Sequence, residues 1–351
     1  MSKRLLLLIH RYCGLAAALF LLVQAATGAM LVYRAELARL ADPAGMVRQS
    51  QGPDAPLSAI LCAIRDQHPD WRIRRIFFPI GADGVYFVHL TTAEGAARYA
   101  SLDPGSTRIL RAGGIWSFPA EAALRIHYEM MSGLPGRIFI LLVGISLLGM
   151  IATGLAYWWP RRGRWRKSLA IDLRLAPKLV LRHFHRSLGA LLAPLILLSA
   201  ATGAYLAFVL LIESPAPPAR LSSPPSVTAP DRALALARSQ FPGSAVRDIR
   251  IPDPGTFNIL LRAPERNAEA VHLVRVDLAT NRVLARIPAD RDPSLWVPIL
   301  PIHNGKALGT IGRIILLLGA LAIATLTVTG PLMWLQARKP SKKKPALRSA
   351  P

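Results

Sequence analysis

Four stretches without a charged residue are each long enough to cross a lipid bilayer. They cover residues 12–33, 138–159, 188–212 and 314–335. The apolar core of a bilayer is about 30 Å thick and needs about 20 helical residues to cross it. Because no water is present there to satisfy backbone polar groups, such stretches cross as α-helices. The sequence therefore predicts a membrane protein with four transmembrane helices.

The first stretch also has features of a cleaved signal peptide. It follows Lys3 and Arg4, and a signal peptide likewise begins with basic residues. Its 22 uncharged residues, however, exceed the roughly 7–15 residues of the apolar segment of a signal peptide. We therefore interpret it as a permanent membrane anchor.

Basic residues outnumber acidic ones by 43 to 20, and their placement follows the membrane. The N-terminus, the connection between the second and third stretches and the C-terminus carry 18 basic residues and one acidic residue. The two long connections carry 25 basic and 19 acidic residues. By the positive-inside rule, residues 1–11, 160–184 and 337–351 are expected in the cytoplasm and the long connections outside. The basic excess thus indicates membrane lipid, and not nucleic acid, as the partner.

The two halves of the chain repeat each other. Two motifs, each with a histidine, an arginine and a later Thr-Gly pair, occur twice. The residues are His10, Arg11, Gly14 and Thr27 with His185, Arg186, Gly189 and Thr202, and His127, Arg137 and Thr153 with His303, Arg313 and Thr329. The spacing from histidine to threonine is 17 residues in the first motif and 26 in the second. This arrangement is typical of a tandem internal duplication in which each half has the order span, outside domain, span.

Each long connection is expected to fold into a small α+β domain. Helical spacing covers residues 57–67 and 232–240, and Pro69 and Pro242 end these helices. Four alternating segments follow in each copy, namely 73–78, 85–90, 98–102 and 107–110, then 246–251, 257–261, 271–276 and 282–285. Six prolines in residues 214–230 predict an extended linker. We assign the outside domains to 34–126 and 213–302, and the spans, with outer extensions on the second and fourth, to 12–33, 127–159, 185–212 and 303–336.

Four of the eight histidines lie at matched places in the two halves. The predicted topology puts His10 and His185 at the cytoplasmic ends of their spans, and we call them the inner pair. It puts His127 and His303 just before the outer ends of theirs, and we call them the outer pair. A lone histidine at such a depth is commonly a polar residue among lipid headgroups. Four at matched places favour two pairs of facing imidazoles, which are the ligands that a six-coordinate haem iron needs.

Other site chemistries are less favoured. Cys13 and Cys62 form no C-x-x-C or C-x-x-C-H motif, which excludes covalent c-type haem, a thiolate zinc site and a disulfide framework. No Cys, Asp or Glu accompanies the histidines at the spacing of a zinc or copper site. The chain has neither a G-x-S-x-G elbow nor a Gly-rich phosphate fingerprint. We expect noncovalent haem and no catalytic residue beyond its ligands.

Each paired histidine has an arginine close by, and the inner histidines each have a glycine one turn later. The arginines could pair with haem propionates or extend toward lipid headgroups. The glycines could leave room for a flat macrocycle or allow close helix packing. The residues are Arg11, Arg186, Arg137, Arg313, Gly14 and Gly189.

The motifs from His10 to Gly28, their copy at His185, the segment from His127 to Gly154 and the Trp-Trp-Pro-Arg-Arg sequence ending at Arg162 resemble the PepSY-associated transmembrane proteins. The likeness extends from about residue 4 to residue 339. Tyr12 replaces a tryptophan common in the motif, and the second copy lacks the second tryptophan and the proline after Trp334. The resemblance implies a bacterial inner-membrane protein with PepSY-like outside domains.

The best understood members of that family are similar to ferric-siderophore reductases. By this resemblance, two b-type haems would be held by His10, His127, His185 and His303, and electrons from a cytoplasmic or quinol donor would reduce a periplasmic ferric siderophore or other ferric chelate. Trp116 and Trp296 precede the outer histidines and mark the expected substrate region, although such tryptophans are also common interface anchors. Two alternatives remain: a non-enzymatic scaffold whose PepSY-like domains bind a periplasmic protein, and a haem subunit that feeds a partner reductase.

Overall fold

The computed structural model describes residues 2–213, 228–253 and 255–338. Most of the predicted linker at 214–230 and nearly all of the predicted cytoplasmic tail at 337–351 lie outside these residues. Both cysteines are free thiols.

Four long helices have the length and hydropathy of membrane spans. In chain order the helices are α1 (Lys3–Val32), α2 (Arg34–Ala41), α3 (Pro43–Met46), α4 (Leu57–Gln67), α5 (Pro119–Glu129), α6 (Leu134–Trp158), α7 (Trp165–Leu169), α8 (Pro177–Ile212), α9 (Ala229–Gln240), α10 (Leu300–His303) and α11 (Gly309–Arg338). The four long helices are α1, α6, α8 and α11. The chain is therefore a membrane protein with several apolar spanning helices.

The helix bounds differ from the predicted ones at the candidate ligands. The first and third long helices begin well before the apolar stretch, so that His10 and His185 lie inside α1 and α8. His127 and His303 lie on the separate helices α5 and α10. The reason is visible in the first half, where Met130 ends α5 in the left-handed conformation and turns the chain before α6 begins.

The chain forms two compact units. The first comprises Met1–Ala26, Leu142–Ala201 and Leu317–Pro351 and contains parts of all four long helices. Its buried residues are mostly small or aliphatic, for example Ala17, Leu21, Ala193 and Ala322. Small side chains let helix backbones approach closely, which is how helices pack in a membrane without a hydrophobic driving force between them.

The second unit comprises Thr27–Leu141 and Thr202–Leu316 and contains a sheet. Its strands are β1 (Arg72–Phe77), β2 (Tyr86–Thr91), β3 (Ala97–Leu102), β4 (Ile109–Gly113), β5 (Val246–Asp253), β6 (Thr256–Arg262), β7 (Val271–Asp277) and β8 (Arg282–Ile287). All neighbours are antiparallel, in the order β4-β3-β2-β1-β5-β6-β7-β8. Helices α4 and α9 pack on one face, where residues such as Ile60, Ile76, Ala233 and Ile249 are fully buried.

The two predicted outside domains share this one sheet, which the sequence did not predict. Strands β1 and β5 each begin a four-stranded antiparallel meander and so would each be an edge strand with unpaired backbone groups. They pair with each other instead, with Ile76 opposite Ile249 and Phe77 opposite Asp248. Pairing the two edges satisfies both rows of backbone hydrogen bonds.

An ion cluster lies at this junction. Asp248 is fully buried and accepts hydrogen bonds from Arg75 and Arg247 at 2.8 Å and from Arg250 at 3.3 Å. Burial raises the pKa of a carboxyl group, but the charge and hydrogen bond of Arg75, with the charges of Arg247 and Arg250, outweigh it and lower the pKa of Asp248 to about 2. Because Arg75 belongs to β1 and Asp248 to β5, the cluster fastens the two meanders together.

Candidate functional site

The inner pair, His10 and His185, comes together within the first unit. The ring centroids lie 6.4 Å apart and the ring planes are at 82°. His10 comes from the first half of the chain and His185 from the second, as the repeat predicts for a pair of matched residues.

Hydrogen bonds fix the protonated nitrogen of both inner histidines. His10 Nδ1 lies 3.0 Å from the backbone oxygen of Met150, and because a carbonyl can only accept, Nδ1 donates. His185 Nδ1 lies 2.7 Å from Thr329 Oγ1, whose hydroxyl donates to the oxygen of Thr325 at 2.8 Å. The threonine oxygen therefore accepts from Nδ1. In both rings the lone pair is left on Nε2, the nitrogen available to a metal.

The outer pair, His127 and His303, comes together within the second unit. The ring centroids lie 6.3 Å apart and the planes are at 40°. His127 Nδ1 lies 3.0 Å from Thr27 Oγ1, and His303 Nδ1 lies 2.9 Å from Thr202 Oγ1. The bonding pattern therefore resembles that of His185, with the threonine again on a long helix of the same half as its histidine.

A glycine faces the ring of each of the four histidines. A β-carbon on Gly154 would lie 2.9 Å from His10 Cε1, and one on Gly28 would lie 3.1 Å from His127 Cε1. The matching distances are 3.0 Å from Gly203 to His303 and 3.6 Å from Gly330 to His185. Real β-carbons essentially never approach within 3.0 Å, so a side chain at Gly154 would displace His10. A β-carbon at Gly28 or Gly203 would make a tight contact with its ring, and one at Gly330 would make an ordinary contact.

The spacing of the rings fits one metal ion held between each pair. A metal bond to an imidazole nitrogen is about 2 Å long and that nitrogen lies about 1.1 Å from the ring centre, so two ligands on opposite sides have centroids about 6.2 Å apart. The observed separations are 6.4 Å and 6.3 Å. Among the described residues no group of three or more His, Cys, Asp or Glu could hold a metal ion. A two-imidazole centre of this kind needs its remaining ligands from a cofactor such as a porphyrin.

The arginines near the outer pair are held by carboxylates and helix ends. Arg137 Nη2 lies 3.3 Å from Glu129 Oε2, and Arg137 Nη1 donates to the oxygen of Leu210. Arg313 Nη2 lies 2.6 Å from Glu36 Oε1, and Arg313 Nε donates to the oxygen of Val32. Leu210 and Val32 lie at the C-terminal ends of α8 and α1, where carbonyls lack helical partners. Each arginine thus joins its own half of the chain to the other.

One arginine near each pair retains a buried donor. Arg137 Nε and Arg186 Nε are buried without a hydrogen-bond partner in the part of the chain that the structure describes, and so is the hydroxyl of Ser187. A buried donor left unpaired costs free energy. These groups would be satisfied by an anionic part of a bound cofactor.

The sequence also singles out Arg11, Gly14 and Gly189 near the inner pair. Arg11 is exposed. A β-carbon on Gly14 would lie 3.2 Å from Met150 Cε, and one on Gly189 would lie 3.6 Å from Leu326 Cδ2. A flexible side chain of the facing helix therefore occupies the space that each glycine leaves.

The two tryptophans of the expected substrate region each line a cavity in the second unit. Trp116 lines a cavity of about 320 Å³ with Tyr99, Arg98 and Arg125. Trp296 lines one of about 170 Å³ with Arg250 and Asn258. Trp116 is 72% exposed, whereas Trp296 packs against the buried cluster that contains Val297.

Three of the remaining histidines have partners outside both pairs. The ring of His68 stacks on Trp71 and that of His272 on Phe241, both with centroids 3.9 Å apart. His89 lies among aromatic rings that include Phe77 and Tyr99.

The roles of the Thr-Gly pairs could not be read from the sequence. Their constant spacing after the histidines is visible there, yet it identifies them only as repeat markers. The sequence does not show that each Thr-Gly pair contacts the histidine of the other motif in the same half of the chain. The contacts join Thr27-Gly28 to His127, Thr153-Gly154 to His10, Thr202-Gly203 to His303 and Thr329-Gly330 to His185. Thr153 is the exception among the threonines, because its hydroxyl bonds to its own helix at Gly149 and the carbonyl of Met150 serves His10 instead.

The comparisons with known proteins identify the family. No curated protein matches the chain. The family model described as the PepSY-associated TM region matches residues 7–337, which is nearly the whole chain. The protein therefore belongs to the PepSY-associated transmembrane family.

Proposed function

We propose that the protein transfers single electrons across a bacterial inner membrane and reduces a ferric chelate, such as a ferric siderophore, in the periplasm. The observation that carries the proposal is the pair of ring separations, 6.4 Å and 6.3 Å, each suited to one metal ion between two imidazoles. His10 and His185 would hold one b-type haem, and His127 and His303 would hold another. When bound, such a haem supplies a reversible one-electron carrier whose potential depends on its ligands and surroundings.

The chain's own residues have defined tasks in this function. Thr329, Thr27 and Thr202 and the carbonyl of Met150 hold Nδ1 of each imidazole and leave Nε2 to the iron. Such bonds orient the ring and raise its strength as a ligand.

The reaction needs one electron for each iron ion. Fe(III) in the chelate gains the electron and becomes Fe(II), which hard oxygen ligands hold less strongly. The donor is a quinol or a cytoplasmic reductant. A quinol gives up two electrons and two protons, and so serves two ferric ions.

The topology and the origin of the chain belong to the same proposal. The charge distribution favours cytoplasmic termini, and with that topology the sheet would lie in the periplasm. The matched elements of the two halves, such as α4 with α9 and β1 with β5, support an internal duplication that produced two PepSY-like domains with a shared sheet.

Visible spectroscopy of the purified full chain tests the proposal first. We expect b-type bands that change on reduction and a pyridine haemochrome value of two haems per chain. A colourless protein would contradict the proposal and favour a membrane scaffold. A protein with two haems that reduces no ferric chelate in vesicles loaded with reductant would favour a haem subunit for a partner reductase.

A further inference from the structure

The cavity that Trp116 lines lies beside α5, the helix that carries His127. It has a volume of about 320 Å³. Its walls come from the start of β3, from the 3₁₀ turn Ile115–Ser117 and from α5 and the residues after it. Arg98, Tyr99, Trp116, Arg125 and Met131 face it.

The cavity carries positive charge. Arg98 donates a hydrogen bond to the oxygen of Ala97, and the ion pairs of the described residues do not include it. Arg125 Nη1 lies 2.5 Å from Glu129 Oε1. Glu129 also pairs with Arg137 at 3.3 Å, so that one carboxylate is shared by two guanidinium groups. An anion in the cavity would therefore meet the charge of Arg98, which has no ion pair among the described residues, and that of Arg125, whose carboxylate partner is shared with Arg137.

The cavity also offers aromatic surface. Trp116 is 72% exposed although it is one of the largest apolar side chains. Its counterpart in the second half, Trp296, packs into a buried cluster and lies under the guanidinium of Arg247 at 6.0 Å. Tyr99 is 3% exposed and adds a rigid wall. A largely exposed indole beside arginines is a surface on which a flat ring can stack.

The backbone beside the cavity is held in a costly conformation. Met130 and Met131 have φ angles of 47° and 60°, in the left-handed region that residues other than glycine rarely adopt. Met131 is one of the residues that line the cavity. Strain of this kind is found preferentially where a ligand or a catalytic group needs it.

We infer that this cavity binds the anionic aromatic arm of a catecholate-type iron chelate. The ring would stack on Trp116, and the negatively charged oxygens would face Arg98 and Arg125. The cavity volume of about 320 Å³ lies at the lower end of the range of about 300–1,000 Å³ for ligand pockets, which favours one arm over a whole chelate. A neutral aliphatic hydroxamate chelate lacks both the ring and the charge. That the bound arm belongs to an iron chelate rests on the proposed function. That the cavity binds an anionic aromatic group rests on the cavity alone.

Binding of redox-inert gallium(III) chelates to the purified full chain tests the inference. The probes are the gallium complexes of a hexadentate tris-catecholate, which is anionic and aromatic, and of a hexadentate tris-hydroxamate, which is neutral and aliphatic. Calorimetry is expected to show at least tenfold tighter binding of the catecholate, weakening with added salt. Arg98→Gln and Trp116→Leu should each weaken catecholate binding about tenfold. Arg108→Gln, which removes an exposed arginine outside the cavity, should leave it unchanged.

The results separate this inference from the proposed function. Equal binding of the two probes, or catecholate binding that ignores both cavity substitutions, would overturn the inference. Gallium(III) takes no electron, so these measurements do not depend on reduction. A catecholate that binds but whose iron form is not reduced contradicts the electron-transfer function and leaves the cavity assignment intact. Reduction of a ferric hydroxamate without any catecholate binding would support the electron-transfer function and overturn the cavity assignment.

Discussion

The Nδ1 atom of His185 lies 2.7 Å from the Oγ1 atom of Thr329, whose own hydrogen is donated to the oxygen of Thr325. This order of donors allows only one neutral tautomer of the imidazole. The lone pair is then on Nε2, on the side of the ring away from the threonine. A residue of α11 thus orients, on α8, the imidazole that we propose as a haem ligand.

Replacing Thr329 by valine should weaken haem binding at the inner pair. Valine keeps the shape and removes the acceptor, so the ring loses the bond that fixes its tautomer. Loss of such a partner usually costs about 10–100-fold in metal affinity. Haem titration of the purified variant measures the change. Thr325→Val is the matched control, because Thr325 lies one turn earlier and bonds only to its own helix. Equal effects of the two substitutions would contradict the role assigned to Thr329.

Gly154→Val should displace His10 and abolish the inner haem. A β-carbon at this position lies 2.9 Å from His10 Cε1, and valine adds two further methyl groups. Gly149→Val on the same helix is the control, since nothing lies within 4 Å of a β-carbon there. The haem content should fall from two to one in the first variant and stay at two in the second. A Gly154→Val protein with two haems would show that the ring does not need this approach.

Much of the fold and of the site could be predicted because it depends on local pattern. Helix α4 has the predicted bounds, since its apolar period and the following proline are both visible in the sequence. The histidines could be paired because the repeat and the charge distribution order them along the chain. The ring centroids of the two histidine pairs lie 6.4 Å and 6.3 Å apart, which is the spacing of facing imidazoles; their role as haem ligands stays a prediction.

What escaped prediction depends on contacts between distant segments. The pairing of β1 with β5 joins residues more than 170 positions apart and leaves no signal in either strand. The ion pairs of Arg137 with Glu129 and of Arg313 with Glu36 depend on where α5 ends and where α2 begins. The sequence offered propionates or headgroups as partners for these arginines, and the carboxylates came only with the structure.

The angle between imidazole planes should distinguish the two haems by electron paramagnetic resonance. The planes are at 82° in the inner pair and at 40° in the outer pair. Nearly perpendicular axial rings leave two iron d orbitals close in energy, which makes the low-spin ferric signal more anisotropic. The oxidised protein should therefore show two low-spin signals, and His10→Ala should remove the more anisotropic one. Removal of the less anisotropic signal would contradict the assignment of the pairs.

Substitutions at the inner and outer histidine pairs should each remove a different haem and interrupt electron transfer at a different step. His127→Ala and His303→Ala should each remove one haem and abolish reduction of an outside chelate, while the inner haem still accepts electrons from a cytoplasmic donor. His10→Ala and His185→Ala should leave an outer haem that a chemical reductant can fill but the donor cannot. Haem content and chelate reduction in oriented vesicles measure both effects. His68→Ala, which removes a ring stacked on Trp71, should retain both haems. Normal reduction by a variant without the outer haem would refute the two-site path.

The Asp248 cluster should make the sheet sensitive to acid. The pKa of Asp248 is lowered to about 2 in the folded chain, whereas an unfolded aspartate has a pKa of about 3.9. A lowered pKa adds stability that is fully present above the unfolded value and is lost as the pH falls through the folded value. The free energy of unfolding should therefore drop as the pH falls from about 5 toward 2.

Asp248→Asn should remove that part of the pH dependence and destabilise the protein at neutral pH by about 3 kcal/mol, because it leaves the buried guanidinium of Arg247 and the partly buried one of Arg75 without their carboxylate. The matched control is Asp66→Asn, whose side chain is 70% exposed and pairs only at 3.7 Å with Arg65. That change should alter stability by less than about 0.5 kcal/mol. Chemical unfolding of the full chain in detergent, followed by tryptophan fluorescence between pH 7 and pH 3, measures both. If Asp248→Asn kept the pH profile of the native chain, as Asp66→Asn should, the Asp248 cluster would not be the source of the acid sensitivity.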